Sequence, residues 1–397
     1  MTIRRKPRPV NERELRLWGV RRALALTFAA AILAAGGVFY GLVVLLDFQT
    51  IDTTAKLDAK TLFDLVKLSF GVVAGAGALV ALVVAYRRQR VDEAGAHREA
   101  TRLHTERFTQ AVEQLGSDSP AVRLGGVHAL AGLADDAPDH NLRQTCIDVL
   151  CAYLRLPFPS DPGDPPDATS SEEQREAHQD KKDRYRALRE VRHTILRLIG
   201  DHYRIPQGTH RSWQGCNLDL TGVTIDGDMD FAGAAFSGGR VSFSGAAFSG
   251  GTVSFAGAAF SGGTVSFIDA TFSDDEMSFR GATFSGGTVN FSRATFSHGT
   301  MSFRSTTFSG GIVDFVRATF SGSTVDFSRA AFSGGKVSFS GATFSPDTVS
   351  FRDSAFSGGT VSFAPASGPA PEGLLASVST RVPRVVYLPA HWLSVDP

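Results

Sequence analysis

Cysteine is scarce. Cys146, Cys151 and Cys216 are the only three in 397 residues, too few for a disulfide framework and without the cysteine–histidine spacing of a zinc site. A reducing compartment fits such a chain, and Cys146 and Cys151, five apart in a helical stretch, read as buried structural thiols. Net charge is also lacking: 40 basic residues balance 40 acidic ones, so no global field draws the protein to nucleic acid or to an anionic surface. Catalytic signatures are absent too. The ten histidines form neither H-E-x-x-H nor a cysteine–histidine cluster, and His97 and His104, seven apart on one helix, read as a solvated face. There is no G-x-x-x-x-G-K-[ST], and no G-x-S-x-G elbow stands between a strand and a helix. With no acid–base, nucleophile or metal constellation, the expectation is a non-enzymatic protein with no cofactor and no metal.

What is abundant is phenylalanine and glycine, 30 and 41 residues, concentrated between Met229 and Phe363. There a twelve-residue phrase, V-x-F-x-x-A-x-F-S-G-G-T, returns eleven times. One phenylalanine series runs Phe231, Phe243, Phe255 and so on to Phe363; a second stands five residues after each up to Phe356. Small residues (Ala246, Ala294, Thr306, Ser354) precede the second series by two. A repeat of fixed period marks a solenoid, whose units bury their apolar faces only by stacking. Thr252-Val253-Ser254-Phe255 alternates polar and apolar as a half-buried strand does, and Ser-Gly-Gly supplies a turn. A twelve-residue coil is too thin for two Phe, one Val and one Ala, so two phrases per coil are expected. That gives about 24 residues per coil and about five to six coils, a rod roughly 25–30 Å long at the strand spacing of a sheet.

A central Phe or Leu with a small residue two before it, repeated at five, resembles the pentapeptide-repeat family. Cys216-Asn217-Leu218-Asp219-Leu220 and Thr221-Gly222-Val223 match its ordinary five-residue form, with Leu218 and Val223 central; the main array adds two residues to every second unit. The resemblance covers about a third of the chain and implies a right-handed quadrilateral parallel β-helix. It specifies a scaffold and not an activity.

The rest of the chain reads in order. Residues 1–22 form a basic N-terminus with eight Lys or Arg, and 23–46 is an uncharged run long enough to span a bilayer. A loop (47–67) leads to a second apolar run, 68–86, closed by Arg87, Arg88 and Arg90. Basic residues outside the two runs predict a multi-pass protein of the cell membrane with its N-terminus and repeats in the cytoplasm. Gly37 and Gly41, and Gly71 and Gly75, form G-x-x-x-G pairs that offer close packing or self-association. A helical connector (87–157) follows, in which AVRLGGVHALAGLADD resembles a HEAT-type helix pair. Together with its flanks, the block resembles the region joining two membrane spans to pentapeptide repeats in a bacterial membrane-protein family. A Pro/Asp/Ser-rich linker (158–174) precedes a capping helix (175–212, with its approach), the solenoid (213–363), and a linker and C-terminal cap (364–397) in which Val385–Leu388 adds an edge strand.

The expected architecture is therefore mixed: two transmembrane α-helices, a small HEAT-like helical connector and a right-handed parallel β-helix. The expected role is a membrane-anchored cytoplasmic scaffold that holds the lipid bilayer through two spans and binds an unknown protein partner. Variation within the repeat falls outside, two residues after each Phe of the first series, at Asp269, Arg293, Arg317, Arg329 and Asp353. Arg293, Arg317 and Arg329 are the candidate partner-binding stripe, with Arg293 and Arg317 one coil apart if the coil is 24 residues. The alternative function is a DNA mimic acting on DNA gyrase or another DNA-binding enzyme. That would need an acidic rod, whereas residues 229–363 carry eight basic residues against nine acidic ones, so mimicry and nucleic-acid binding are both disfavoured. Regular Thr-x-Ser strands also resemble ice-binding solenoids, which a cytoplasmic rod would not need. Asp274-Asp275-Glu276, the one strongly acidic turn, reads as a tolerated loop substitution in preference to a calcium or partner contact.

Overall fold

The computed structural model describes residues 25–26, 28–29, 32–33, 36–37, 59–166, 170–273, 275–378 and 385–393. The chain divides into two units, residues 1–99 and 100–397. In the first unit the described backbone is helical throughout. Its main element, α1 (Ala59–Leu115), is one continuous helix of 57 residues whose last turns belong to the second unit.

Here the structure corrects the expectation of two transmembrane helices. No helix among the described residues is long and apolar enough to cross a membrane. Most of the first run, 23–46, lies outside the described residues. The second, 68–86, is part of α1, which does not stop at Arg87, Arg88 and Arg90 but continues through charged sequence to Leu115. What reads locally as a self-contained apolar segment is a stretch of a longer helix of mixed polarity. The multi-pass localisation and the cytoplasmic placement of the repeats rested on those spans and fall with them.

In the second unit the end of α1 packs with α2 (Pro120–Asp135), α3 (His140–Arg155) and α4 (Glu172–Arg204). The starts of these helices follow from local chemistry. Ser119-Pro120 places Pro in the first turn of α2. Asp139 caps α3 by accepting from the Leu142 N–H at 2.9 Å, and Ser171 and Gln174 form a reciprocal capping box on α4. Val127, Leu130, Ile147, Leu150, Ile195 and Ile199 are fully buried between the helices. Gly126 lets α2 lie against the end of α1, since a Cβ there would stand 2.5 Å from the Leu115 nitrogen.

From Leu218 onward the chain is a parallel β-solenoid of about 7 turns. Its strands align in three sheets. Val265 pairs with Val289, and Val289 with Val313, a step of 24 residues, so each coil holds two phrases. The rod has more turns than the phenylalanines alone predict. Leu218–Asp219 and Thr224–Ile225 build a coil before the first Phe, and Val386–Tyr387 pairs beyond the last with Val361–Ser362.

The alternation puts Val and both Phe series inside, where the rings form ladders. Phe267, Phe291 and Phe315 stack at 4.7 and 4.8 Å with planes 2–3° apart. Phe260 and Phe284 stack at 4.6 Å, and Phe272 and Phe296 at 4.9 Å. Ring spacing equals strand spacing, so in-register coils satisfy backbone hydrogen bonds and aromatic contacts together. The small inward residue keeps its polar options where it is not Ala: Thr306 Oγ1 donates to the Phe279 carbonyl at 2.9 Å, and Ser354 Oγ to the Phe327 carbonyl at 2.8 Å. Both ends are covered. Tyr203 of α4 lies 5.2 Å from Phe236 and edge-on to Phe231, and Trp392 lies 5.8 Å from Phe344 and 5.7 Å from Phe363.

The two turns of a coil are not equivalent. At Gly287 φ is +66°, and a Cβ would stand 2.7 Å from the Gly262 carbonyl carbon of the preceding coil. Glycine pairs therefore recur without exception at 238–239, 262–263, 286–287, 310–311, 334–335 and 358–359. The other turn varies in sequence, as Gly250-Gly251, Asp274-Asp275, His298-Gly299, Gly322-Ser323 and Pro346-Asp347; a Cβ on Gly250 would meet nothing within 4 Å, whereas one on Gly251 would stand 2.6 Å from the Gly227 carbonyl carbon and one on Gly322 would clash with the Ser297 carbonyl oxygen. The acidic turn belongs to this varied series. Asp274 lies outside the described residues, while Glu276 continues the ladder between Thr252 and Thr300.

Candidate functional site

Each Phe of the first series opens a corner of the rod. The Phe291 carbonyl accepts from the Ala294 N–H at 3.1 Å, closing a turn in which the residue two after the Phe is left-handed. Asp269, Arg293, Arg317 and Arg329 have φ of 57°, 59°, 58° and 58°, a region that disfavours residues with a Cβ. Space is not the constraint, because a Cβ on Gly245 or Gly281 in the same role meets nothing within 4 Å. The Arg293 N–H donates to the Val316 carbonyl, and the Arg317 N–H to the Ser340 carbonyl, one coil on. The backbone is thus held by its neighbours while the side chains stand in solvent.

Asp269, Arg293 and Arg317 follow one another at the 24-residue step along one edge. Arg329 sits on the other corner, half a coil away, in the series of Gly281, Ser305 and Asp353. The three arginines therefore do not make one stripe. Nor is Arg293 available: its Nε and one terminal nitrogen donate to the two carboxylate oxygens of Asp269 at 2.6 Å each. These bonds hold the Asp269 carboxyl below its ordinary value and the guanidinium above its own. Fully exposed, such a pair adds little to stability.

The second edge carries a feature that the sequence reading missed. Arg280, Arg304 and Arg352 stand one residue after Phe279, Phe303 and Phe351, and Arg329 stands two after Phe327, so four successive coils each present one arginine there. The stacked rings beneath them are spaced 4.8, 4.6 and 4.7 Å, which sets the step of the ladder. All four are exposed. Arg352 is paired with Glu372; for Arg280, Arg304 and Arg329 no ion-pair partner is found among the described residues. The signal lay in alternate phrases only, and shows when every second phrase is aligned at the 24-residue step.

Elsewhere the polar side chains serve packing. All three cysteines are free and buried, and burial pushes the thiols of Cys146 and Cys151 up to about 11 and about 12. His104, expected on a solvated face, is buried with its ring 3.8 Å from Cys146 Sγ; burial lowers its pKa. No group of His, Cys, Asp and Glu suited to a metal ion occurs among the described residues. A Cβ on Gly37, Gly71 or Gly75 would meet nothing within 4 Å, and Gly41 lies outside the described residues.

A buried carboxylate, Asp135, and a half-buried one, Asp226, join the helices to the first coils. Asp135 accepts from Trp213 Nε1 and Arg211 Nε at 3.0 Å, with His202 Nε2 at 3.1 Å. Burial alone would raise its pKa, but the bonds from His202, Arg211 and Trp213 outweigh it and hold the carboxyl low. Asp226 accepts from the Tyr185 hydroxyl at 2.7 Å, beside Arg189 Nε at 3.3 Å and His193 Nε2 at 3.5 Å. Here too burial pushes upward and is overcome, by His193, Tyr185 and Arg189, leaving the carboxyl at about 2. A group lowered in the folded state contributes stability above its unfolded pKa and loses it as pH falls through the folded one. From about pH 4 to about pH 2 this group should cost the fold about 2 kcal/mol. Asp226→Asn should flatten urea-measured stability across that window, and an unchanged acid limb would refute the assignment.

No protein-family model and no curated protein matches the chain. The fold defines the class: a β-solenoid repeat protein with a helical cap, its repeats regular and compatible with a pentapeptide-repeat fold.

Proposed function

We propose that this protein is a non-enzymatic interaction scaffold of the pentapeptide-repeat type, whose rod binds an acidic segment of a protein partner along its second edge. The observation that carries this reading is the arginine ladder. Like charges stacked a strand spacing apart repel one another, and among the described residues Arg280, Arg304 and Arg329 have no counter-ion to relieve the repulsion. A partner with carboxylates at a similar spacing would do so, as an extended acidic strand does. The inward steps of five and seven residues support the pentapeptide-repeat kinship. DNA mimicry finds no such support, because the edge presents cations where a mimic needs anions.

The test is crosslinking of the full-length chain in its own cell. Arg280→Glu/Arg304→Glu/Arg329→Glu should leave folding intact, as exposed substitutions usually do, and should lose partners that the wild type captures. Arg293→Glu/Arg317→Glu, on the other edge, and Lys336→Glu, on a flat face, should retain them. If the triple reversal keeps every partner at unchanged salt sensitivity, the second edge is not the binding surface.

A further inference from the structure

The helical cap contains a cleft of about 620 Å³, a volume typical of small-ligand sites. It lies between α2, α3, α4 and the proline-rich segment after α3. Four cations line it, Arg123, Lys181, Arg184 and Arg192, and no carboxylate does. The remaining wall is largely apolar and includes Tyr153 and Phe158. One of the cations is buried: Arg192 is 5% exposed. Its two terminal nitrogens donate to the Leu154 carbonyl at 2.7 Å and the Thr224 carbonyl at 2.8 Å, and its guanidinium lies 4.6 Å from the Phe158 ring centre. Those bonds satisfy donors without neutralising charge; the field of Asp226 reaches Arg192, but no ion pair of Arg192 is found among the described residues. Burying a charge without a close counter-ion is costly. Arg123 is likewise spent on neutral acceptors, the Ser117 carbonyl and the Tyr153 hydroxyl.

We propose that this cleft binds a nucleoside phosphate: the phosphates among Arg123, Lys181, Arg184 and Arg192, the planar base against the aromatic and proline wall. Charge alone would fit any anion. The apolar, aromatic lining is what calls for a planar body attached to the charged head. Arginine suits such a site because its planar fork pairs with phosphate oxygens. The site lies in the cap, away from the arginine edge of the rod, and stands independently of the scaffold reading.

Calorimetry on the full-length chain tests it, with ATP, tripolyphosphate and adenosine as separate titrants at physiological salt. The expected result is saturable ATP binding at least tenfold tighter than either fragment. Lys181→Glu/Arg184→Glu changes only exposed positions of α4 and should weaken it at least tenfold while the unfolding midpoint stays unchanged. Tripolyphosphate binding as tightly as ATP, no saturation at millimolar ATP, or full affinity in the folded Lys181→Glu/Arg184→Glu variant would each overturn the proposal.

Discussion

Replacing Phe291 by alanine should lower the unfolding free energy by about 3–5 kcal/mol. The ring is fully buried and makes contact on every side: stacked on Phe267 and Phe315, and edge-on to Phe279 and Phe303 at 5.8 and 6.2 Å. Its removal leaves a void walled by other rings, each held in its own ladder. The coil cannot shrink to fill it, because the Phe291 N–H is tied to the Asp314 carbonyl at 2.6 Å and the spacing of the whole sheet would have to change. Ser292→Ala, one residue along and outside, should stay within about 0.5 kcal/mol. Urea unfolding measures both. Equal losses would contradict the inward assignment of the ladders. Since each coil touches only its neighbours, the mid-rod lesion should also reduce cooperativity more than the same change near either end.

The second large effect is expected at Asp135. Asp135→Ala should cost about 3–5 kcal/mol, the usual penalty for removing one partner of a buried charged network. His202, the Trp213 indole N–H and Arg211 all converge on this carboxylate, and His202 is stacked on Trp213 at 4.1 Å. Without it the indole N–H and His202 Nε2 lose their acceptor while buried, since His202 and Trp213 are almost fully enclosed; His202 Nδ1 keeps the Leu198 carbonyl at 2.6 Å. The damage should be local to the junction of α2 with the first coil, so Asp135→Ala is expected to loosen the helical cap before the rod. Hydrogen exchange resolves the order. A variant within about 1 kcal/mol of wild type, or one that opens the rod first, would show that the network does not hold the junction.

Legibility differed from element to element. The Phe spacing of five and seven announced a solenoid because alternation in a strand has only two faces, and one of them must be dry. The helix start at Pro120 was local enough to read from neighbouring residues, whereas the capping box of Ser171 and Gln174 lies in what reads as linker, so α4 begins at Glu172, ahead of the expected Arg175. The acidic stretch Asp274-Asp275-Glu276 reads as a loop substitution, yet Asp275 and Glu276 lie in a strand, Asp275–Ser278, that pairs with Gly251–Ser254. Arg280 and Arg304 were invisible as a pair, because neither is at the position that varies in every phrase. Asp135 and Trp213, 78 residues apart, left no trace in any local pattern. The apolar run at 68–86 misled for a related reason: hydropathy in a window says nothing about where the helix containing it ends.

By itself the sequence determined that this chain is a repeat protein and which residues of each phrase face inward, since both follow from steric and solvation rules acting over a few residues; Ser-Gly-Gly, read as a turn, lies inside strands such as Ala235–Ser242 as an irregularity of register. Stacking decided the rest. Only in three dimensions do Gly287 and Gly262 press together, arginines from four coils line one edge, and four cations from two helices surround one cleft, because charge and close packing act across space between residues that the chain keeps far apart.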